Sequence, residues 1–94
     1  MARLGETELT TALGRLDGWQ GGMDAIRKAF QFKDFVAAVA FVNRAADLAE
    51  AANHHPDIDI RYNKVTMTLS THDEGGVSDK DVDLAGKLNA AAEG

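Results

Sequence analysis

The stretch HHPDIDIRYNKVTMTLSTH, His54 to His72, decides how the chain folds. Within it Ile58, Ile60 and Tyr62 alternate with Asp59 and Arg61, while Val65, Met67 and Leu69 alternate with Thr66, Thr68 and Ser70. A period of two places each apolar set on one side of a pleated strand. Two such runs parted by Asn63-Lys64 predict an antiparallel hairpin, with Asn suited to positive φ and Lys less so. Centred on that pair, the turn sets Tyr62 opposite Val65, Ile60 opposite Met67 and Ile58 opposite Leu69, so every apolar side chain shares a face. Carried further, the same register sets His72 across from His55. Pattern alone therefore brings a distant histidine back to the pair that opens the hairpin.

Upstream, Phe35 to about Ala52 lacks Gly and Pro and is dense in Ala, which predicts the longest helix, with Asp34 as its cap. On a helical projection Asn43, Asp47, Glu50 and His54 form a polar stripe, while Phe35, Ala38, Val39, Phe41, Val42, Ala45, Ala46, Leu48 and Ala49 cover more than half the circumference. A single sheet face needs a narrower band. The excess width leads us to expect that this helix also meets a partner subunit. Further upstream, Leu9, Ala12, Leu13 and Leu16 recur at helical spacing between Glu6 and Leu16, and Gly18 ends the pattern. Between Trp19 and Phe32 the Gly21-Gly22 pair reads as a turn joining two strands, with Ile26, Phe30 and Phe32 at strand spacing and Lys28 interrupting the alternation. Downstream of the loop THDEGG, Ser78-Asp79-Lys80-Asp81 has the form of a capping box, and Val82, Leu84, Ala85, Leu88 and Ala91 continue as a closing helix. Helix, two strands, helix, two strands, helix is the order of an α+β domain, an antiparallel sheet with its helices on one face.

With 94 residues and no linker, repeat or low-complexity tract, residues 1–94 read as one small domain, of a size that association with other copies would help to stabilise. There is no cysteine, so disulfides, thiolate metal sites and a cysteine nucleophile are excluded. No apolar run has the length of a membrane span, and the MARLGETELT start lacks an apolar segment followed by a cleavage site, so a cytoplasmic protein is expected. A formal net charge of -5 with scattered basic residues argues against a nucleic-acid surface.

Histidine titrates close to cellular pH when unperturbed, so several imidazoles in one pocket can divide acid and base roles. His54 and His55 stand at the carboxyl end of the long helix, and Pro56 pushes His55 out of helical geometry, which lets the two rings diverge. Glu50, four residues before His54 on the polar stripe, could orient it. Each residue taken singly also has a plain structural reading: a helix stop for the His pair, a loop residue for His72, a cap residue for Asp81, a core or boundary aromatic for Trp19. Three histidines and a carboxylate could also bind a metal, yet adjacent His54-His55 is not the i, i+4 pairing of helical ligands and no HExxH is present. No metal is expected. Nor is a nucleophile elbow or a phosphate-binding glycine loop present.

Glu50, three residues, His54-His55-Pro56, five residues, Tyr62, nine residues, His72, eight residues and Asp81 together resemble the signature of the pterin-4a-carbinolamine dehydratases. The likeness extends to Gly18-Trp19, FQFKDF from Phe30 to Phe35, the Ala-rich helix, YNKV and LSTH. It implies a four-stranded antiparallel sheet with three helices, assembled as dimers or tetramers. It also implies dehydration of a 4a-hydroxytetrahydropterin to quinonoid dihydropterin, in support of an aromatic amino acid hydroxylase and without a cofactor. By the family pattern His55 and His72 form the acid and base pair, with their order open, and His54 positions substrate and exchanges protons. Glu50 and Asp81 orient imidazoles or hold the pterin, Pro56 fixes the turn, and Trp19 is a candidate pocket wall. Asn53 stands where the family often has Asp, and Lys80 where Arg is common, changes that would alter local charge and a planar hydrogen bond. Some members of the family act as dimerisation cofactors of a transcription factor, so a binding module working through the long apolar helix is the alternative.

Overall fold

The computed structural model describes residues 3–93. Helix α1 spans Glu6–Arg15, strands β1 and β2 span Gln20–Gly21 and Ile26–Gln31, helix α2 spans Phe35–Ala52, strands β3 and β4 span Asp57–Arg61 and Lys64–Leu69, and helix α3 spans Asp79–Glu93. The strands form one antiparallel sheet in the order β1-β2-β4-β3. Three helices and a four-stranded antiparallel sheet make this the expected α+β fold.

The core lies between the helices and one face of the sheet. Ile26 and Phe30 of β2 and Val65, Met67 and Leu69 of β4 point into it, where they meet Ala38, Phe41 and Ala45 of α2 and Leu84, Ala85 and Leu88 of α3. Phe41 is the central aromatic, with its ring centroid 4.7 Å from Phe30 and 5.0 Å from Phe32. Helices α2 and α3 run antiparallel: Arg44 Nε donates to the Ala91 carbonyl at 3.0 Å near one end, and His54 reaches Asp81 at the other. That alignment carries the carboxyl end of α2 to the amino end of α3, where the site is built.

Lys28 shares the inward face of β2 with Ile26 and Phe30, and its stem and charge are accommodated separately. The ammonium donates to the Asp17 carbonyl at 2.8 Å and to Asn89 Oδ1 at 2.9 Å, and lies 4.7 Å over the Phe30 ring. A long side chain can thus line an apolar layer while its tip stays solvated by polar groups.

Both hairpins turn away from the expected place, the first two residues later and the second one residue earlier. In the first, Gly21 pairs with Ile26, and the turn covers residues 22–25, closed by Gly22 N–H to the Ala25 carbonyl at 3.1 Å. Gly21 has φ 143, and a Cβ there would stand 2.3 Å from the Ala25 oxygen, so it is glycine because the strand ends pinch together. In the second, Arg61 pairs with Lys64 and Ile60 with Val65, so Tyr62-Asn63 forms the turn and Tyr62, not Asn63, takes positive φ (52). The cause is tertiary. Asn63 is already committed to Phe32, donating from Nδ2 to its carbonyl at 2.8 Å and accepting its N–H at 2.9 Å, which continues the β2–β4 ladder past Gln31. The shift is by two positions in pairing, so face parity is kept and Ile58 and Ile60 still lie on the side of Met67 and Val65.

Helix α2 is also narrower in its apolar exposure than its projection suggested. Asn43, Asp47 and Glu50 keep its outer side polar, and the large exposed apolar residues, Phe35 and Val36, are confined to its first turn. It is not apolar along its length.

Candidate active site

The site begins with how α2 stops. Asn53 takes a left-handed conformation, φ 51 and ψ 42, its N–H bonded to the Glu50 carbonyl at 3.1 Å and the following His54 N–H to the Ala49 carbonyl at 3.0 Å. This pair of bonds is a Schellman cap, a position that Asn tolerates better than other side-chain-bearing residues. The reversal of backbone hand also redirects the rings. His54 turns inward and His55 outward, so Glu50 pairs with His55 and not with His54, as helical spacing alone suggested.

His54 is largely buried, with 12% of its side chain exposed, and its Nε2 lies 2.5 Å from Asp81 Oδ1. Asp81 is fully buried, a position rare for a carboxylate without partners. Its second oxygen accepts the Thr71 hydroxyl at 2.7 Å and the Ser78 N–H at 2.9 Å. The expected capping box is therefore present in its reciprocal half, with Asp81 reaching back to the cap N–H, while Ser78 Oγ takes the Lys80 N–H at 3.3 Å. Asp81 thus both starts α3 and holds a histidine. A carboxylate only accepts, so the His54 hydrogen in this pair sits on Nε2. His55 has the same arrangement with Glu50 through Nε2, but in the open, with 57% and 77% of the two side chains exposed. Such a pair orients a ring and adds little to stability.

His72 opens a single 3-10 turn, His72–Glu74, that follows β4. In the observed register the residue across from His55 is Ser70, not His72, yet the turn still brings His72 to the same place. A cavity of about 350 Å³ is lined by His54, His55 and His72 together with Thr71, Asp73 and Lys80. A smaller one of about 140 Å³ is lined by His55 and His72 with Asp24, Asp57, Thr68 and Ser70. His55, Ser70 and His72 line both, so the two are neighbouring compartments of one cleft. The His72 ring is exposed and has no side-chain partner among the described residues, which leaves both its nitrogens for a ligand or solvent. Pro56 lies between the His pair and the first residue of β3.

Trp19 is elsewhere. It is buried in the core, edge-on to Phe30 with centroids 6.1 Å apart, and its Nε1 donates to Asn89 Oδ1 at 3.0 Å. It lines neither compartment. Among residues that sequence reasoning passed over, Thr71 holds the buried carboxylate and Asp57 and Asp24 supply acidic walls. Periodicity did carry a sign of the first, since Thr71 continues the inward parity of Val65, Met67 and Leu69, but a hydroxyl at a strand end gave no indication of the carboxylate it meets.

The α+β domain thus gathers three imidazoles around a polar cleft, two of them bonded to carboxylates, and imidazole is a group that can give or take a proton. The chain belongs to the family described as Pterin 4 alpha carbinolamine dehydratase, whose profile matches residues 2–91. A relative from Koribacter versatilis is 54% identical over 86 residues, 92% of each chain, and one from Roseiflexus castenholzii is 53% identical over 94% of this chain and 95% of that one; both bear the provisional name pterin-4-alpha-carbinolamine dehydratase. The crystal structure of a Brucella melitensis transcriptional coactivator/pterin dehydratase superposes with a TM-score of 0.91 at 48% identity, covering 96% of this chain and 98% of the other. A pterin dehydratase-like protein identified as a RuBisCO assembly factor in the alpha-carboxysome is more distant, with a TM-score of 0.67 and 25% identity over 79% of this chain and 86% of that one.

Proposed function

We propose that the protein dehydrates a 4a-hydroxytetrahydropterin to the quinonoid dihydropterin by histidine acid and base catalysis, recycling the pterin spent by an aromatic amino acid hydroxylase. Family membership and the names of its relatives support the activity. The observation that supports the chemistry is the cleft itself, where His54, His55 and His72 face one cavity. His55 and His72 are the acid and base. One ring protonates the leaving hydroxyl as the C–O bond breaks and water departs; the other takes the proton from the adjacent ring nitrogen as the C=N bond forms. Protons balance within the site, and no oxidant or activated group is consumed. His54, held by Asp81, positions substrate, and Glu50 orients His55. Cytoplasmic residence and a homodimer or homotetramer belong to the same proposal; no helix among the described residues is long and apolar enough to cross a membrane.

The deciding experiment generates the carbinolamine and follows its dehydration with wild type, His55→Ala and His72→Ala. Wild type should exceed the spontaneous rate, and each variant should lose about 100-fold or more in kcat, the usual worth of a positioned acid or base. A wild type that adds nothing to the spontaneous rate sinks the enzyme reading. Full activity in both variants sinks the assignment of roles. The relatives described as a coactivator and as an assembly factor, with the exposed Phe35 and Val36, favour a second reading, an interaction module working through the start of α2. An inactive chain that still assembles would support it.

A further inference from the structure

Thr71 lines the cleft and has been given no role so far beyond its bond to Asp81. It is buried, and its backbone forms both bonds of an isolated bridge with Gly76, N–H to the Gly76 carbonyl at 3.0 Å and carbonyl to the Gly76 N–H at 3.2 Å. That bridge closes the base of the loop whose first residue is His72. The Thr71 carbonyl also accepts the Glu74 N–H at 3.0 Å, which winds the 3-10 turn carrying His72.

The hydroxyl is equally committed. Thr71 Oγ1 lies 2.7 Å from Asp81 Oδ2 and 2.7 Å from Ser78 Oγ. A carboxylate oxygen only accepts, so the Thr71 hydrogen goes to Asp81. The Ser78 contact must then use the Ser78 hydrogen, with Thr71 as acceptor, while a remaining Ser78 lone pair takes the Lys80 N–H. The direction of every bond in the chain Ser78 to Thr71 to Asp81 is thereby set. Asp81 Oδ2 is saturated by Thr71 and the Ser78 N–H, and Oδ1 is left for His54. Buried networks in which each member is satisfied hold their groups in one geometry.

We propose that Thr71 is a positioning residue of the site, fixing His54 through its hydroxyl and Asp81, and His72 through its backbone bridge, so that the two rings keep one relative placement. The kinetic consequence rests on the dehydratase reading; the structural consequence does not. Thr71→Val keeps the shape and removes the hydroxyl, and Thr71→Ser keeps the hydroxyl and removes the methyl. The readouts are long-range proton–nitrogen NMR spectra of the His54 ring and carbinolamine dehydration kinetics. Thr71→Val should shift the His54 Nε2–H signal and mix its tautomers, and should lower kcat about tenfold or more with KM within about twofold, the scale of loss when bound substrate is held slightly out of its reactive placement. Thr71→Ser should restore both readouts.

Wild-type His54 signals in Thr71→Val would overturn the proposal, as would a Thr71→Ser variant as damaged as Thr71→Val, which would assign the effect to methyl packing. If Thr71→Val fails to fold, Thr71→Ala measured against Thr71→Ser takes its place under the same criteria. If wild type shows no dehydration, the dehydratase reading fails and the His54 signals alone decide the role of Thr71.

Discussion

Asp81 carries two burdens that a single substitution can separate. Its carboxylate closes the amino end of α3 and fixes the tautomer of His54, both from a fully buried position. Asp81→Ala strands the Thr71 hydroxyl and the Ser78 N–H, each costing on the order of 1–3 kcal/mol when left unpaired and buried. A loss of about 3 kcal/mol is expected, read as a lower midpoint in urea with the slope unchanged. Asp81→Asn can still accept from Thr71 and Ser78 through its carbonyl, but offers His54 a donor in place of an acceptor. Its stability should fall by less than that of the alanine variant, and His54 should move its hydrogen to Nδ1, with kcat down about tenfold or more, as for other partners that orient a functional histidine. An Asp81→Asn variant with unchanged His54 nitrogen shifts would show that the carboxylate does not set the tautomer. At this scale the sequence was partly readable. The residues of the cluster were visible as types and spacings, but who pairs with whom was not, because the left-handed Asn53 breaks the rotation on which i, i+4 reasoning depends.

Elements were readable where one period dominates. Both long helices and β4 follow from their apolar patterns, since burial of one face is the main term that selects them, while β3 follows from its alternation and its pairing with β4 and is itself exposed. Turn positions were not, because they depend on bonds to elements distant in sequence, and Asn63 bonded to Phe32 hands the strained conformation to Tyr62. A side chain larger than glycine pays about 1–2 kcal/mol for left-handed backbone. Glycine at position 62 removes that strain and loses roughly 0.5–1 kcal/mol in chain entropy. Tyr62→Gly should therefore be stabilising by about 0.5 kcal/mol, a rise of roughly 2–4 °C in Tm for a domain of this size. A fall in Tm would mean that the tyrosine ring, 67% exposed in the single chain, is covered by something in solution.

At the scale of the whole molecule, two apolar areas lie at the surface among the described residues, and they differ in kind. One is the outer strand β3, exposed along all five residues, with Ile58, Ile60 and the adjoining Tyr62 among its large apolar side chains. The other is the start of α2, where Val36 is 76% exposed beside Phe35 and borders an apolar hollow with Val39 and Ala40. An uncovered edge strand offers unpaired backbone groups as well as side chains, whereas a helix end offers side chains alone. A chain this short buries a smaller fraction of its surface than larger domains do, so covering either area by a second copy stabilises it disproportionately. The proposed homo-oligomer follows from these two areas, and they can be tested apart. Val36→Glu places a charge where an apolar contact would form without touching the edge of β3, and Ile60→Glu does the reverse. Sedimentation at rising concentration should show wild type as an assembly, with each variant reduced to a smaller species if its own area is used. A wild type that remains monomeric at high concentration removes the proposal altogether. An assembly reduced by Ile60→Glu but indifferent to Val36→Glu assigns self-association to the strand edge and leaves the head of α2 free for a different partner.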